Sequence, residues 1–254
     1  MQRYFAKIID KQVFLDDGDV HHLLNVMRAK EGTNIEVVYD KKIYLCEVQK
    51  LNPLGIYTIK TLDDDPELTK EVTLFFGLAK GDKIDFVIQK ATELGVSKIV
   101  LFSSQRCVVD FSSKDINKKL ERYKKIAKEA SEQSHRVIVP EVLGVYKLKD
   151  ISDDMLCDLN YVAYEKLSNS NNFLSEMKVK NSDSISVFIG PEGGFEESEI
   201  ELLEAKGVHP ITLGKRILRT ETAAVNILSV ISFLIENETI WTFRKEKEEK
   251  KCVS

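Results

Sequence analysis

Phe188-Ile189-Gly190-Pro191-Glu192-Gly193-Gly194-Phe195 and, further on, Leu213-Gly214-Lys215-Arg216-Ile217-Leu218-Arg219-Thr220-Glu221-Thr222-Ala223 decide how this chain is read. An apolar run containing Ile185, Val187, Phe188 and Ile189 stops at a Gly-Pro-Glu-Gly-Gly turn. An acidic amphipathic stretch, 196–205, predicts a helix, and a second short apolar strand, 211–213, stops at another glycine. Glycine lacks Cβ, so it reaches φ > 0 and lets backbone N–H and C=O groups touch a ligand directly. Two strand ends carrying glycine loops can therefore meet at one sheet edge, and in open α/β sheets that crevice is where ligands bind.

Outward from these loops, strand and helix patterns alternate. Strands are expected at 72–78, 99–102, 139–145, 161–164, 185–189 and 211–213. Between and after them, helices are expected over 82–94, 116–134, through Phe173 and Leu174, over 196–205, and over 222–235 at the close. Such alternation implies a mostly parallel sheet. Residues 1–62 differ: strand-like segments at 12–15, 35–39, 43–48 and 56–62 surround one short helix, 20–28, for which Asp19 is the expected N-cap. Asp63-Asp64-Asp65-Pro66-Glu67 reads as a linker, because like charges and a proline disfavour both ladder and helix. The expected division is a β-rich domain over 1–68, an α/β domain over 69–243, and a charged tail over 244–254 with no apolar face, read as frayed or disordered.

Composition narrows the class. The chain has 254 residues, 43% hydrophobic and 31% charged, as soluble globular proteins do. No uninterrupted apolar run approaches the ~20 residues that cross a bilayer, and Met1-Gln2-Arg3-Tyr4-Phe5 lacks the apolar region of a signal peptide, so no membrane association and a cytoplasmic location are expected. Cys46, Cys107, Cys157 and Cys252 form no Cys-x-x-Cys pair, and His21 and His209 have no partners at ligand spacing, so reduced thiols and no metal are expected. A net charge of −4 weighs against a nucleic-acid binder. Yet Lys114, Lys118, Lys119, Arg122, Lys124, Lys125 and Lys128 crowd one helical segment, which is either a basic binding face or a solvated one laced with Glu121 and Glu129.

The two loops together resemble the RsmE family of SPOUT methyltransferases. That family's Gly-Pro-Glu-Gly-Gly loop appears whole at Gly190 to Gly194, and its Leu-Gly-x-x-Ile-Leu-Arg-Thr-Glu-Thr-Ala signature at Leu213 to Ala223. Further matches are Gln89-Lys90-Ala91-Thr92-Glu93-Leu94-Gly95-Val96, Glu129-Ala130-Ser131-Glu132-Gln133-Ser134, His22-Leu23 and Val26-Met27-Arg28, so the resemblance reaches about Glu236. Met27 stands where leucine is more usual, and His135 where glycine is common.

The resemblance implies a SPOUT-type parallel sheet with a C-terminal deep trefoil knot, a small N-terminal PUA-like β-barrel that binds RNA, and a homodimer. It implies S-adenosylmethionine as cofactor, S-adenosylhomocysteine as product, and N3 of a specific uridine in 16S rRNA of the small ribosomal subunit as acceptor. By the same resemblance, Ile189, Gly190, Pro191, Glu192 and Gly193 in the first loop and Leu213, Gly214, Ile217, Leu218, Thr220 and Ala223 in the second would wrap the cofactor, with Tyr164 and Glu165 as a third wall. Arg3, Arg28, Arg106 and Arg136 are the candidate RNA contacts, while His22 reads as a satisfied structural histidine.

Methyl transfer from a sulfonium is an in-line displacement, so the protein's main task is alignment. The weakly acidic N3 proton must leave, which asks for a general base or for a guanidinium facing the developing negative charge. Arg219 and Glu221 are the catalytic candidates; alternatively they pair with each other or cap the closing helix. Two rival functions stand beside this one. A non-catalytic rRNA-binding protein on the same fold would bind RNA without cofactor. A nucleotide-dependent oxidoreductase fares poorly, because Gly77-Leu78-Ala79-Lys80-Gly81 lacks the Gly-x-Gly-x-x-Gly spacing.

Overall fold

The computed structural model describes residues 1–108, 113–167 and 182–252, with side chains at 1–108, 116–167 and 182–237; the helix expected through Phe173 and Leu174 lies outside them. Contacts divide the chain into Met1–Glu67 with Lys128–Val139, and Leu68–Ala127 with Pro140–Ser254.

In the first unit the strands are β1 (Arg3–Phe5), β2 (Lys7–Ile9), β3 (Gln12–Phe14), β4 (Asn34–Tyr39), β5 (Lys42–Leu51) and β6 (Leu54–Leu62), in the order β1-β4-β5-β6-β3-β2. Only β1 and β4 pair parallel; the other ladders are antiparallel. Asp10-Lys11 joins β2 to β3 with φ of 48° and 71°, and Asp40-Lys41 joins β4 to β5 with φ of 51° and 56°. Positive φ at both loop residues matches the right-handed twist of the flanking strands. Alternating Ile35, Val37 and Cys46, Val48 turn one face inward onto Tyr4, Leu23 and Ile56. Helix α1 (Asp17–His21) continues as a wider π turn, His22–Val26. Its cap is Asp16, whose Oδ1 accepts from the Asp19 N–H at 2.8 Å; the expected cap, Asp19, lies inside the helix and is buried.

Residues 128–139 join this unit through charge. The Glu67 carboxylate accepts from the Arg136 guanidinium at 2.6 Å and from the N–H groups of Val137 and Ile138 at 2.8 and 3.1 Å. The last acid of the expected linker is thus an anchor for chain far away in sequence. Lys128 Nζ likewise donates to Asp16 at 2.6 Å and Asp19 at 2.7 Å.

The second unit follows the alternation: β7 (Glu71–Gly77), α2 (Lys83–Glu93), β8 (Lys98–Ser103), α3 (Ser113–Gln133), β9 (Glu141–Lys147), β10 (Leu159–Ala163), β11 (Ser184–Ile189), α4 (Glu197–Ala205), β12 (His209–Ile211) and α5 (Thr220–Cys252). Helix α3 ends within the residues of the first unit. Every ladder is parallel, in the order β12-β10-β11-β7-β8-β9. Strands β7 and β11 are buried on both faces, which is why they read as continuous apolar runs. Phe75 lies opposite Phe188 in register, and their rings stack at 4.1 Å. Because all strands run one way, the carboxyl ends of β7, β10, β11 and β12 share one edge, with β11 inserted between β7 and the earlier β10. Helix α5 packs on α2 and β11. It starts at Thr220 and runs beyond the expected residue 235 to Cys252, taking in most of the charged segment 244–254.

Candidate functional site

Gly77, the last residue of β7, touches the loop after β11: a Cβ built on it would lie 2.5 Å from Pro191 N and 2.9 Å from Gly190 C. The loop closes on itself through the Gly194 N–H donating to Pro191 O at 2.9 Å, with Gly194 at φ +70°. Thr220 then joins the second loop to the first, its buried hydroxyl donating to Gly190 O at 2.6 Å. On the other side the Tyr164 N–H donates to Ile211 O at 2.9 Å, which fixes the end of β10 beside β12.

These ends enclose a cavity of about 440 Å³, inside the ~300–1,000 Å³ range of small-molecule sites. Its wall holds every residue expected at the cofactor: Tyr164 and Glu165, Ile189 to Gly193, Leu213, Gly214, Ile217, Leu218, Thr220 and Ala223, and with them Arg219. Ile217 is nonetheless 88% exposed. Lys83, Ala163, Gly194, Phe195, Thr212 and Arg216 also line it, and none of these is among the cofactor contacts expected from the sequence. All but Lys83 lie within two residues of an expected contact. Lys83 arrives from α2, which follows a different strand, and nothing in the two loop motifs points to it.

Charge inside the site is organised around Glu192. Its Oε1 accepts from the Lys80 N–H at 3.0 Å and from Lys83 Nζ at 2.9 Å. Burial pushes this carboxyl up, but the Lys80 N–H and the Lys83 ammonium outweigh it and hold the group below the usual carboxylate range. Lys83 Nζ also lies 3.8 Å from Oε2 of Glu221, a buried oxygen with no hydrogen-bond partner. Glu221 is not on the cavity wall, and its ion partner is Lys83 rather than Arg219. Arg219 is exposed on the wall, and its carbonyl accepts from the Ala223 N–H in the first turn of α5.

The candidate RNA contacts separate. Arg3 is 2% exposed and held by Glu36 at 2.8 Å and by the His135 carbonyl. Arg136 is 4% exposed and bound to Glu67. Both guanidiniums are buried in ion pairs with partly buried carboxylates, rather than presented at the surface as an RNA contact would be. Arg106 clamps the first loop from outside, donating to Glu196 at 2.6 and 2.9 Å and to Gly193 O at 3.1 Å. Only Arg28 is exposed without such a clamp among these contacts, presented at φ +52° just after the π turn. On α3, Arg122 pairs with Asp85, Lys124 with Glu121 and Lys128 with Asp16 and Asp19, so much of the basic segment is an ion-paired face. His22 is satisfied by the Tyr4 hydroxyl at 2.9 Å. Cys46, Cys107 and Cys157 are free thiols. Among the described residues no three His, Cys, Asp or Glu side chains gather as metal ligands, and no helix is long and apolar enough to cross a membrane.

A family model described as an RNA methyltransferase domain matches residues 66–232, and one described as an RNA methyltransferase PUA domain matches residues 15–60. The chain is 37% identical to ribosomal RNA small subunit methyltransferase E of Bacillus subtilis over 251 residues, covering 93% of this chain and 98% of that protein. It is 32% identical to the protein of the same name from Mesomycoplasma hyopneumoniae, covering 90% and 98%. Among solved structures it is similar to a ribosomal RNA small subunit methyltransferase E from Neisseria gonorrhoeae bound to S-adenosyl methionine, with a TM-score of 0.82, 30% identity, and 92% and 98% of the two chains covered.

Proposed function

This chain belongs to the ribosomal RNA small subunit methyltransferase E family, and we propose that it methylates N3 of one specific uridine in 16S rRNA. Its activity is S-adenosylmethionine-dependent methyl transfer to small-subunit ribosomal RNA, rather than RNA binding alone. The observation that carries the reading is the meeting of both glycine loops in one cavity. The wall suits the cofactor: glycine at Gly190, Gly193 and Gly194 lets the loop backbone pack closely on Phe195, Arg106 and Glu165, and apolar Leu213, Leu218 and Ala223 alternate with charge at Glu165, Glu192 and Arg219.

S-adenosylmethionine supplies the methyl group and leaves as the neutral thioether of S-adenosylhomocysteine. The chain's residues bind, orient and exclude water. Backbone groups of the first loop, with Tyr164 and Glu165, hold the cofactor, and Leu213, Gly214, Ile217, Leu218, Thr220 and Ala223 close over it. Arg219 would face the uracil carbonyl oxygens, stabilising the negative charge that develops there as the N3 proton passes to water and N3 takes the methyl group. Glu221, set back from the wall, acts through Lys83. Arg28 is the RNA contact on the PUA-like domain, which we place at residues 1–68 with the methyltransferase domain at 69–243.

Three finer features belong to the same reading. The closing helix passes through a loop to form the trefoil knot of SPOUT relatives. Two copies pair, supported by exposed Phe86 and Phe233 on the packed helices α2 and α5; light scattering should return a dimer mass. The enzyme works in the cytoplasm, where its ribosomal substrate is assembled. Mass-spectrometric mapping of 16S rRNA with and without the protein tests the main claim. One N3-methylated uridine should depend on it, whereas label on another base or on protein alone would overturn the assignment.

A further inference from the structure

We propose that Lys83 is a positioning residue of the transfer site, holding the first cofactor loop and the second in register through one ammonium. The inference rests on the cofactor reading of the cavity. Lys83 opens α2, in the stretch Lys80-Gly81-Asp82-Lys83 that neither loop motif contains. Its Nζ is 2.9 Å from Glu192 in the first loop and 3.8 Å from Glu221 at the start of α5, directly after the second loop. The Lys80 N–H adds a second tie to Glu192.

Lys83, Glu192 and Glu221 are 31%, 27% and 19% exposed, so this is a partly desolvated triad rather than a surface pair that water would screen. Glu221 depends on it most. Its Oε2 has neither a hydrogen bond nor solvent, and the Lys83 ammonium is the cation that offsets its charge. The neighbouring charges on α2 are engaged elsewhere, Asp85 with Arg122 and Lys90 with Glu93, and β11, which also packs on α5, carries no charged side chain. Removing the ammonium leaves Glu192 held by the Lys80 N–H and takes away the cation beside Glu221 Oε2, so the tie between the two loops is lost.

Calorimetric titration of the full chain with S-adenosylmethionine tests this, using Lys83→Met, Lys83→Arg, Glu192→Gln and the double variant Lys83→Met/Glu192→Gln, each checked for folding by circular dichroism. Lys83→Met should weaken binding about tenfold, and Lys83→Arg should restore most of it. In the double variant the two losses should overlap rather than multiply, since each breaks the same tie. In turnover, KM for the cofactor should rise while kcat at saturating cofactor changes less. Parent-like binding by Lys83→Met, or fully multiplicative losses, overturns the role of Lys83 and leaves the cofactor reading intact. Absence of binding by the parent sinks the cofactor reading and the role of Lys83 with it.

Discussion

At the level of single residues the site depends on atoms that are missing. Gly77 has no side chain because the loop backbone occupies that space, with Pro191 N 2.5 Å from where a Cβ would sit. Backbone cannot rotate away as a flexible side chain can, so Gly77→Ala should cost about 1–3 kcal/mol of stability and displace the first loop. Thermal melting and S-adenosylmethionine titration should both register it; parent-like values in both would mean that β7 and the loop separate freely. Arg219→Ala is the contrasting change, since an exposed wall residue carries little of the fold. It should leave the melting temperature and cofactor affinity near the parent values while kcat falls about 10²–10³-fold, the usual scale for losing a group that faces developing charge. The loop residues were legible because glycine, proline and acid at fixed spacing describe a backbone shape. Gly77 and Lys83 were not, since their roles come from parallel pairing that brings separate strand ends together.

Elements were legible where they repeat a pattern long enough to read. The two buried strands, β7 and β11, announce themselves as apolar runs, whereas β1 and β2 span three residues each and show no period. Of the two Asp-Lys hairpin turns, Asp40-Lys41 is marked by the strand patterns on either side of it, whereas Asp10-Lys11 escapes notice, because positive φ at both positions usually calls for glycine or asparagine. Helix α3 offers a test of such a compromise. After it ends, His135 sits at φ +59° while the Arg136 N–H reaches back to Ser131 O at 2.9 Å, closing the helix in a left-handed cap. A residue with a Cβ is strained there, which is a physical reason to expect glycine at this position. His135→Gly should therefore raise stability by about 1 kcal/mol, read as a higher melting temperature. A drop would mean that the His135 ring, 3.6 Å from Glu36, contributes more than the backbone strain costs.

On the scale of the whole molecule, the first unit runs to Glu67 and also takes in 128–139, a share that a linear division of the sequence does not give it. That share is fixed by long-range ion pairs, which leave no local pattern, and it makes the stability of the first unit depend on pH. Burial, followed by the charge of Asp19, pushes the Glu132 carboxyl from 4.5 up to about 7, against the pull of Lys128. The unfolded chain releases this proton near pH 4.5 and the folded one only near pH 7. Stability from this group is thus full below the lower value and is lost as pH climbs through the upper one, by an amount on the order of 2–3 kcal/mol. Asp19, raised chiefly by burial, acts in the same direction. Asp16 opposes them: burial pushes it up, but Lys128 and the Asp19 N–H hold it below its ordinary value, so its contribution is lost only in stronger acid. Amide exchange, corrected for intrinsic rates, should show protection in β4 and β5 declining from pH 5 to pH 7 while β7 and β11 change little. Glu132→Gln keeps an acceptor for the Phe5 N–H, which now reaches Glu132 Oε1 at 3.3 Å, but has no proton to lose. It should flatten the decline; an equal slope in parent and variant would assign the pH dependence to other groups.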